Sequence, residues 1–175
     1  MRYIALLRGI NVGGNTMIRM SELKKTFVAL GFENVVSYIN SGNLAFDARK
    51  TDEKKLVAKL ERAIEQDFGK NVSVMVREQT YIERVLANNP YDGEFESHKE
   101  MHVLFLASEL SSDAKLSLAD AVPTGERFGV VGREIYCHLP MGVADSYLGR
   151  GQFEKLVKIP VTARNWRTVQ KLAEL

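Results

Sequence analysis

Apolar and polar positions change their spacing along the chain, and these changes predict an alternating order of strands and helices. Short apolar runs are typical of buried strands, whereas apolar residues three and four apart are typical of one helix face. One helix is predicted after Ser21, which has the small polar side chain of an N-cap, and another after Asp52. The strands predicted around them cover residues 3–7, 35–39, 44–46 and 72–76. This order, βαββαβ, is that of a ferredoxin-like unit.

The pattern restarts behind a polar and acidic stretch that runs to residue 100. The elements predicted there are strands at 101–106, 127–131 and 134–139, a helix at 113–121 and an interrupted helix within 143–157. Apolar residues at helical spacing then predict a last helix at 163–173, with Thr162 as its N-cap. Because this helix takes the place of the sixth element, the predicted fold is α+β with two tandem ferredoxin-like halves, the second lacking or altering its last strand.

The same pattern predicts the domain organisation. Residues 1–88 are predicted to form the first ferredoxin-like half, residues 89–99 a linker, and residues 100–175 the second half with its C-terminal helices. A chain of 175 residues also fits one mid-sized domain, so the two halves could form one compact unit.

Charge and cysteine content narrow the class of protein. The formal net charge is only +2, but residues 1–25 and 150–175 each carry a net charge of +4, which leaves −6 in between. The basic ends suggest a surface for an anionic partner, although charge runs are most often solvated helix faces. Cys137 is the only cysteine, which excludes an intrachain disulfide and fits a reducing cytosol. Because no apolar run approaches the ~20 residues that span a bilayer, we expect a cytoplasmic protein without a membrane partner.

The first predicted strand runs into a glycine-rich turn that is the most unusual local chemistry of the sequence. Gly9 to Thr16 differs at one position from the phosphate-loop pattern, because Asn15 stands where the lysine must be. A neutral amide cannot neutralise a nucleotide's β- and γ-phosphates, which argues against NTP hydrolysis. A simpler anion site remains, formed by the backbone N–H groups of the turn beside a fixed charge. Its predicted residues are Arg8, Asn11, Gly13 and Gly14; the alternative is a purely structural turn.

A second polar turn, Asn40-Ser41-Gly42-Asn43, joins the second and third predicted strands. The side chains of Asn40, Ser41 and Asn43 could contact a ligand, or they could bond only to their own backbone in a hairpin turn. We expect the loop after the first strand and this turn to lie at opposite ends of the sheet. On that expectation they share a site only if one of them folds back.

The C-terminal stretch 162–168 carries a third group of candidate residues. Arginines in a first helical turn oppose the helix dipole, so their presence in the predicted helix requires a partner. An anion, a carboxylate or nucleic acid would supply one. The candidate binding residues here are Arg164, Asn165 and Arg167.

The sequence contains no convincing pattern for a metal site or for a catalytic serine. His98 and His102 lie four apart on a predicted loop and strand, where such spacing does not converge as it does on a helix. We therefore predict no metal and no cofactor. Ser41 and Ser146 lack a nucleophile-elbow motif, so no serine hydrolase is predicted and no catalytic residue can be named.

Two motifs resemble those of a known family. Leu6-Leu7-Arg8-Gly9-Ile10-Asn11-Val12-Gly13-Gly14 and Tyr38-Ile39-Asn40-Ser41-Gly42-Asn43 are similar to the N-terminal signature of a bacterial family known as domain of unknown function 1697, and Thr162 to Thr168 is similar to its C-terminal motif. The resemblance implies a soluble bacterial α+β protein and no particular activity. Many relatives carry a lysine after the double glycine, where this chain has Asn15.

These observations lead to three hypotheses about function. The first is a binding protein or enzyme for a phosphorylated or otherwise anionic small molecule, which contacts the glycine turn and the arginines. The second is sequence-tolerant binding of nucleic acid by the basic N- and C-terminal segments. The third is a protein-interaction or structural role without a small-molecule ligand.

Overall fold

The computed structural model describes residues 1–14 and 16–175, which form two compact units. Unit 1 contains Met1–Glu83 and Leu172–Leu175, and unit 2 contains Arg84–Lys171. Each unit holds one four-stranded antiparallel sheet with helices, which confirms the predicted α+β class and the two tandem halves. The domain bounds expected from the sequence stay a prediction.

Unit 1 begins with a complete ferredoxin-like order of elements. The elements are β1 (Arg2–Leu7), α1 (Met20–Ala29), β2 (Glu33–Tyr38), β3 (Asn43–Asp47), α2 (Glu53–Phe68), β4 (Val74–Glu78) and α3 (Gln79–Ala87), whose last residues, from Arg84 on, belong to unit 2. The sheet order is β2-β3-β1-β4, with every neighbouring pair antiparallel. The two central strands are therefore β1 and β3, whose buried residues carry the core.

Helix α2 shows how the sequence sets an element and its core face. The Asp52 side chain accepts hydrogen bonds from the N–H groups of Lys54 and Lys55, and Gly69 ends the helix in the left-handed conformation. Leu56, Leu60 and neighbouring apolar residues one turn apart are buried on the sheet. Fully burying one such leucine stabilises the fold by about 1.5–3 kcal/mol.

Unit 2 repeats the order. Its elements are β5 (Met101–Leu106), α4 (Ser112–Ala121), β6 (Arg127–Val131), β7 (Glu134–His138), α5 (Gln152–Val157), β8 (Val161–Asn165) and α6 (Trp166–Ala173), whose last two residues belong to unit 1. The sheet order is β6-β7-β5-β8, the same as that of unit 1 when its strands are numbered from the start of the unit. Its core lies between one face of this sheet and its helices, with Phe153 as a fully buried anchor.

The prediction that the second half lacks or alters its last strand is wrong, because β8 occupies that place. Residues predicted to start a helix instead pair with β5, where Phe105 faces Thr162 and Val103 faces Arg164. Thr162 is therefore a strand residue rather than an N-cap. Helix α6 begins only at Trp166, and the Asn165 side chain accepts a hydrogen bond (2.9 Å) from the Thr168 N–H in its first turn.

Two further expectations about unit 1 require correction. Ser21 lies inside α1, which begins at Met20 with Arg19 at the cap position. The expectation that the two polar turns lie at opposite ends of the sheet is also wrong. Since β1 and β2 are both antiparallel to β3, they run parallel to each other, and the β2–β3 turn lies at the end of the sheet where β1 ends.

None of the helices in the described part of the chain is both long and apolar enough to cross a membrane.

Candidate functional site

The two polar connections of unit 1 meet at the C-terminal end of β1. The Leu7 N–H donates a hydrogen bond of 2.8 Å to the Gly42 carbonyl, which ties the end of β1 to the β2–β3 turn. Gly42 has a φ of +84°, and a Cβ at this position would lie 2.7 Å from the Cβ of Leu7 and 3.0 Å from Cγ1 of Ile10. Only glycine satisfies both the backbone conformation and this close approach. Glycine at position 42 therefore allows the two connections to pack closely against each other.

The Asn11 side chain joins the two connections. Its Nδ2 donates to the carbonyls of Asn40 (2.7 Å) and Ile18 (2.9 Å), and its Oδ1 accepts from the Ile18 N–H (2.8 Å). The Asn11 backbone is left-handed, with a φ of +55°, a conformation that asparagine tolerates better than most residues. These bonds use the donors and the acceptor of the Asn11 amide, so the side chain ties the two connections together. A ligand contact by Asn11 stays a prediction.

The backbone of this region is unusually rich in left-handed residues. Gly9, Gly13 and Gly14 have positive φ, with open space where a Cβ would lie. Thr16 and Ile39 also have positive φ, of 48° and 49°, although both are β-branched. Each non-glycine residue in this conformation destabilises the fold by about 1–3 kcal/mol. Strain of this kind persists where the surrounding structure fixes it, and it concentrates at ligand sites.

A cavity of about 630 Å³ opens between the two connections and the start of α1. It is lined by Asn11, Met17, Ile18, Arg19, Met20, Ser21 and Asn40. One part of this wall is polar and cationic, because Arg19 is its one charged residue among those described. The other part is made of methionine and isoleucine side chains. The cavity thus combines a cation, polar groups and an apolar surface within one unit.

The N-terminus of α1 faces this cavity without a capping side chain. Within the described part of the chain, Arg19 at the cap position makes no side-chain hydrogen bond to the first turn. Its carbonyl accepts from the N–H groups of Glu22 and Leu23, so those of Met20 and Ser21 lack an intrahelical acceptor. By contrast, α2 and α4 are capped by Asp52 and Ser111. Open N–H groups beside an arginine give a region that favours negative charge.

The other residues predicted at these turns have structural roles that the sequence left open. The Arg8 N–H donates to the Ser73 carbonyl (2.9 Å), and its side chain is half-buried. Asn43 is fully buried, and its Nδ2 donates to the Tyr38 carbonyl and to Ser41 Oγ, both at 3.1 Å. Gly13 and Gly14 are exposed at the surface of the loop. Ligand contacts by Arg8, Gly13, Gly14, Asn40, Ser41 and Asn43 stay predictions.

The C-terminal candidates lie in unit 2. Arg164 is buried in β8, where its guanidinium donates to Thr162 Oγ1 (2.7 Å) and to the Ala163 carbonyl (2.8 Å), and burial lowers its pKa to about 10. Asn165 caps α6, and Arg167 is exposed in the first turn of that helix. The helix-dipole argument therefore applies to Arg167 alone. Ligand roles for Arg164, Asn165 and Arg167 stay predictions.

Sequence reasoning missed the residues that line the cavity, namely Met17, Ile18, Arg19 and Met20. A usable signal was present, because Arg19 directly precedes the first helical residue, where a small polar side chain is usual. The choice of Ser21 as N-cap hid that signal.

Unit 2 holds the histidines and the cysteine that were considered as metal ligands. Burial, followed by the nearby His98, lowers the pKa of His102 to about 4, so that its ring is neutral at neutral pH. Burial likewise raises the pKa of the Cys137 thiol. Across residues 1–14 and 16–175, no group of three or more histidine, cysteine, aspartate or glutamate side chains is arranged to hold a metal ion.

The two sheets of identical strand order define the chain as a tandem ferredoxin-like α+β protein with a cavity at the end of its first strand. It belongs to the family described as Protein of unknown function (DUF1697), whose model matches residues 1–136. This match confirms the resemblance seen in the N-terminal motifs; the C-terminal motif lies beyond the matched range. Asn15, where many relatives carry lysine, lies outside the described residues.

A solved structure supports the same assignment. The conserved bacterial protein SP0830 from Streptococcus pneumoniae is similar to this chain with a TM-score of 0.78 and 27% sequence identity, over 99% of this chain and 97% of that one. No curated protein matches the chain. The chain is thus a member of a conserved bacterial protein family.

Proposed function

We propose that unit 1 binds a phosphorylated or otherwise anionic small molecule in the cavity between the β1–α1 connection and the β2–β3 turn. The observation that carries this proposal is Arg19 at the uncapped N-terminus of α1, on the wall of a cavity of about 630 Å³. An arginine at this position opposes the helix dipole, and a bound anion compensates both charges.

The size and rigidity of the cavity suit a small-molecule site. Ligand pockets commonly measure about 300–1,000 Å³, and this cavity falls within that range. The hydrogen bonds of Asn11 and the close packing at Gly42 hold its two sides together before a ligand enters. A site formed in advance spends little binding free energy on ordering its own loops.

The test is calorimetric titration of the full chain with inorganic phosphate and ribose 5-phosphate. We expect millimolar or tighter binding, and we expect Arg19→Gln to weaken it about tenfold. That is the equivalent of ~1.4 kcal/mol, close to the lower end of the range for a hydrogen bond to a charged group. Arg49→Gln is the matched control, because Arg49 is also exposed but follows β3 at the other end of the sheet. It should leave binding unchanged.

Two results would overturn the proposal. One is the absence of heat and of any melting-temperature shift at 10-fold the expected dissociation constant, where a ligand should stabilise by about 1.4 kcal/mol. The other is equal loss of binding in Arg19→Gln and Arg49→Gln, which would indicate general charge attraction. Binding of nucleic acid by the basic ends stays a separate prediction, marked by an affinity that falls steeply with salt.

A further inference from the structure

The apolar part of the cavity wall would make no favourable contact with a simple anion. Met17 is 66% exposed, Met20 is half-buried and Ile18 is buried, and all three line the same cavity. A methionine side chain is flexible and polarisable, and it contacts aromatic rings favourably. Two methionines beside an arginine therefore form a surface for a ligand with both an anionic and an apolar part.

The volume of the cavity supports a ligand larger than a simple anion. At about 630 Å³ it has room for a ring-bearing organic molecule, whereas an inorganic phosphate would leave most of the space and the apolar wall in contact with water. Apolar surface gains free energy roughly in proportion to the area removed from water. A ligand that covers Met17 and Met20 thus binds more tightly than its phosphate group alone.

The turn opposite this wall offers polar groups that suit the edge of a ring. The Asn40 carbonyl is taken by Asn11, but the Asn40 side-chain amide has no hydrogen bond to any residue that the structure describes. An amide presents a donor and an acceptor side by side, as the edge of a nucleobase does. Ile39, directly before it, is held in the left-handed conformation.

Resting on the function proposed above, we propose that the ligand is a phosphate monoester that carries a planar aromatic ring, of the mononucleotide type. The ring lies against Met17, Ile18 and Met20, the phosphate lies at Arg19 and the N–H groups of Met20 and Ser21, and the Asn40 amide contacts the ring edge. Asn11 holds the two sides of the site together.

The experiment compares AMP and phenyl phosphate with ribose 5-phosphate and inorganic phosphate, each titrated calorimetrically into the full chain. We expect both aromatic phosphates to bind at least tenfold more tightly than the two non-aromatic ones. Met17→Ser should abolish this difference, while Met17→Leu should retain most of it. Met141→Ser, at an exposed methionine of unit 2, is the control and should change nothing.

The possible outcomes separate this inference from the proposal on which it rests. Equal affinity for aromatic and non-aromatic phosphates, or an unchanged preference in Met17→Ser, overturns the proposal that an aromatic ring binds against the methionines. The proposed anion site is unaffected by that result. Absence of binding by all four compounds overturns both. Binding of AMP that is unaffected by Arg19→Gln overturns the placement of the phosphate at Arg19.

Discussion

The two units share a skeleton down to individual hydrogen bonds, and they differ in what is attached to it. In unit 1 the end of β1 is fixed by bonds from the Leu7 N–H to the Gly42 carbonyl and from the Arg8 N–H to the Ser73 carbonyl. In unit 2 the end of β5 is fixed in the same way, by Leu106 to Arg133 and by Ala107 to Pro160. The repeat is one of backbone geometry, since only the leucine is shared and the other three paired positions differ in residue type.

The difference lies in the connections. In unit 1 the first strand and first helix are joined by residues 8–19, but in unit 2 by residues 107–111 only. The hairpin of unit 2 turns at Gly132 and Arg133, whereas that of unit 1 needs residues 39–42. Unit 2 is extended instead between its third strand and second helix, at residues 139–151. Extra chain at the end of β1 thus distinguishes the unit that holds the candidate site from its repeat.

The largest expected effect concerns Gly42. Its counterpart in the shared hydrogen-bond pattern is Arg133, so a side chain is tolerated in unit 2 but not where the long connection packs against the turn. We expect Gly42→Ala to lower the free energy of unfolding by about 3–5 kcal/mol, from backbone strain plus overpacking. Gly9→Ala, with positive φ but open space, should cost only about 1 kcal/mol. Equal losses in urea unfolding would contradict the close packing of the two connections.

The second effect is a pH dependence that belongs to unit 2, because all three histidines of the chain lie there. The folded pKa of His102, about 4, is below the ordinary histidine value of 6.5, so the unfolded state binds more protons between these values. Stability is therefore full above pH 6.5 and falls as the pH drops toward 4, by up to roughly 3 kcal/mol. His102→Gln should flatten this part of the profile, as measured by thermal unfolding. A profile identical to that of the unmodified chain would remove His102 as its cause.

The third effect tests the clamp between the two connections of unit 1. Asn11→Gly preserves the left-handed backbone but deletes the bonds to Ile18 and Asn40. We expect a loss of about 1–3 kcal/mol in unfolding free energy, together with weaker phosphate binding because the cavity wall loosens. If the variant bound phosphate as well as the unmodified chain, Asn11 would not be a positioning residue.

A smaller effect concerns the capped helices. Ser111→Ala and Asp52→Ala each remove a side chain that accepts from the first turn of a helix. Each should cost about 1 kcal/mol. Neither should alter phosphate binding, since both residues lie outside the cavity of unit 1. A change in affinity for either variant would show that binding responds to stability in general.

The sequence predicted the fold well where apolar spacing was unambiguous. The apolar run of β1 and the long stripe of α2, with Asp52 and Gly69 at its ends, define those elements by themselves. Strand β8 was missed because Ala163 and Asn165 have low strand propensity and Thr162 has the chemistry of a helix cap. Arg164 lies in a strand through pairing with β5, which is a tertiary effect that local propensity does not contain.

The candidate site was predictable in part. The motif residues of both turns do meet, but the expected strand directions placed them at opposite ends of the sheet. The cavity wall required knowledge of where α1 begins. A shift of two residues, from Ser21 to Arg19, changes the reading of this helix start from an ordinary cap to an open, cationic N-terminus. Helix boundaries are the least certain part of a sequence pattern, and here the boundary carried the chemistry.

The most direct test of the account is the single substitution Arg19→Ser, measured for both stability and binding. The backbone at position 19 is extended, as at the serine cap of α4, so serine should cap α1 and raise the free energy of unfolding by about 0.5–1 kcal/mol. At the same time, calorimetric titration should show weaker binding of inorganic phosphate. A more stable protein with weaker binding is the predicted result. A variant that binds phosphate as tightly as the unmodified chain would contradict an anion site at the start of α1.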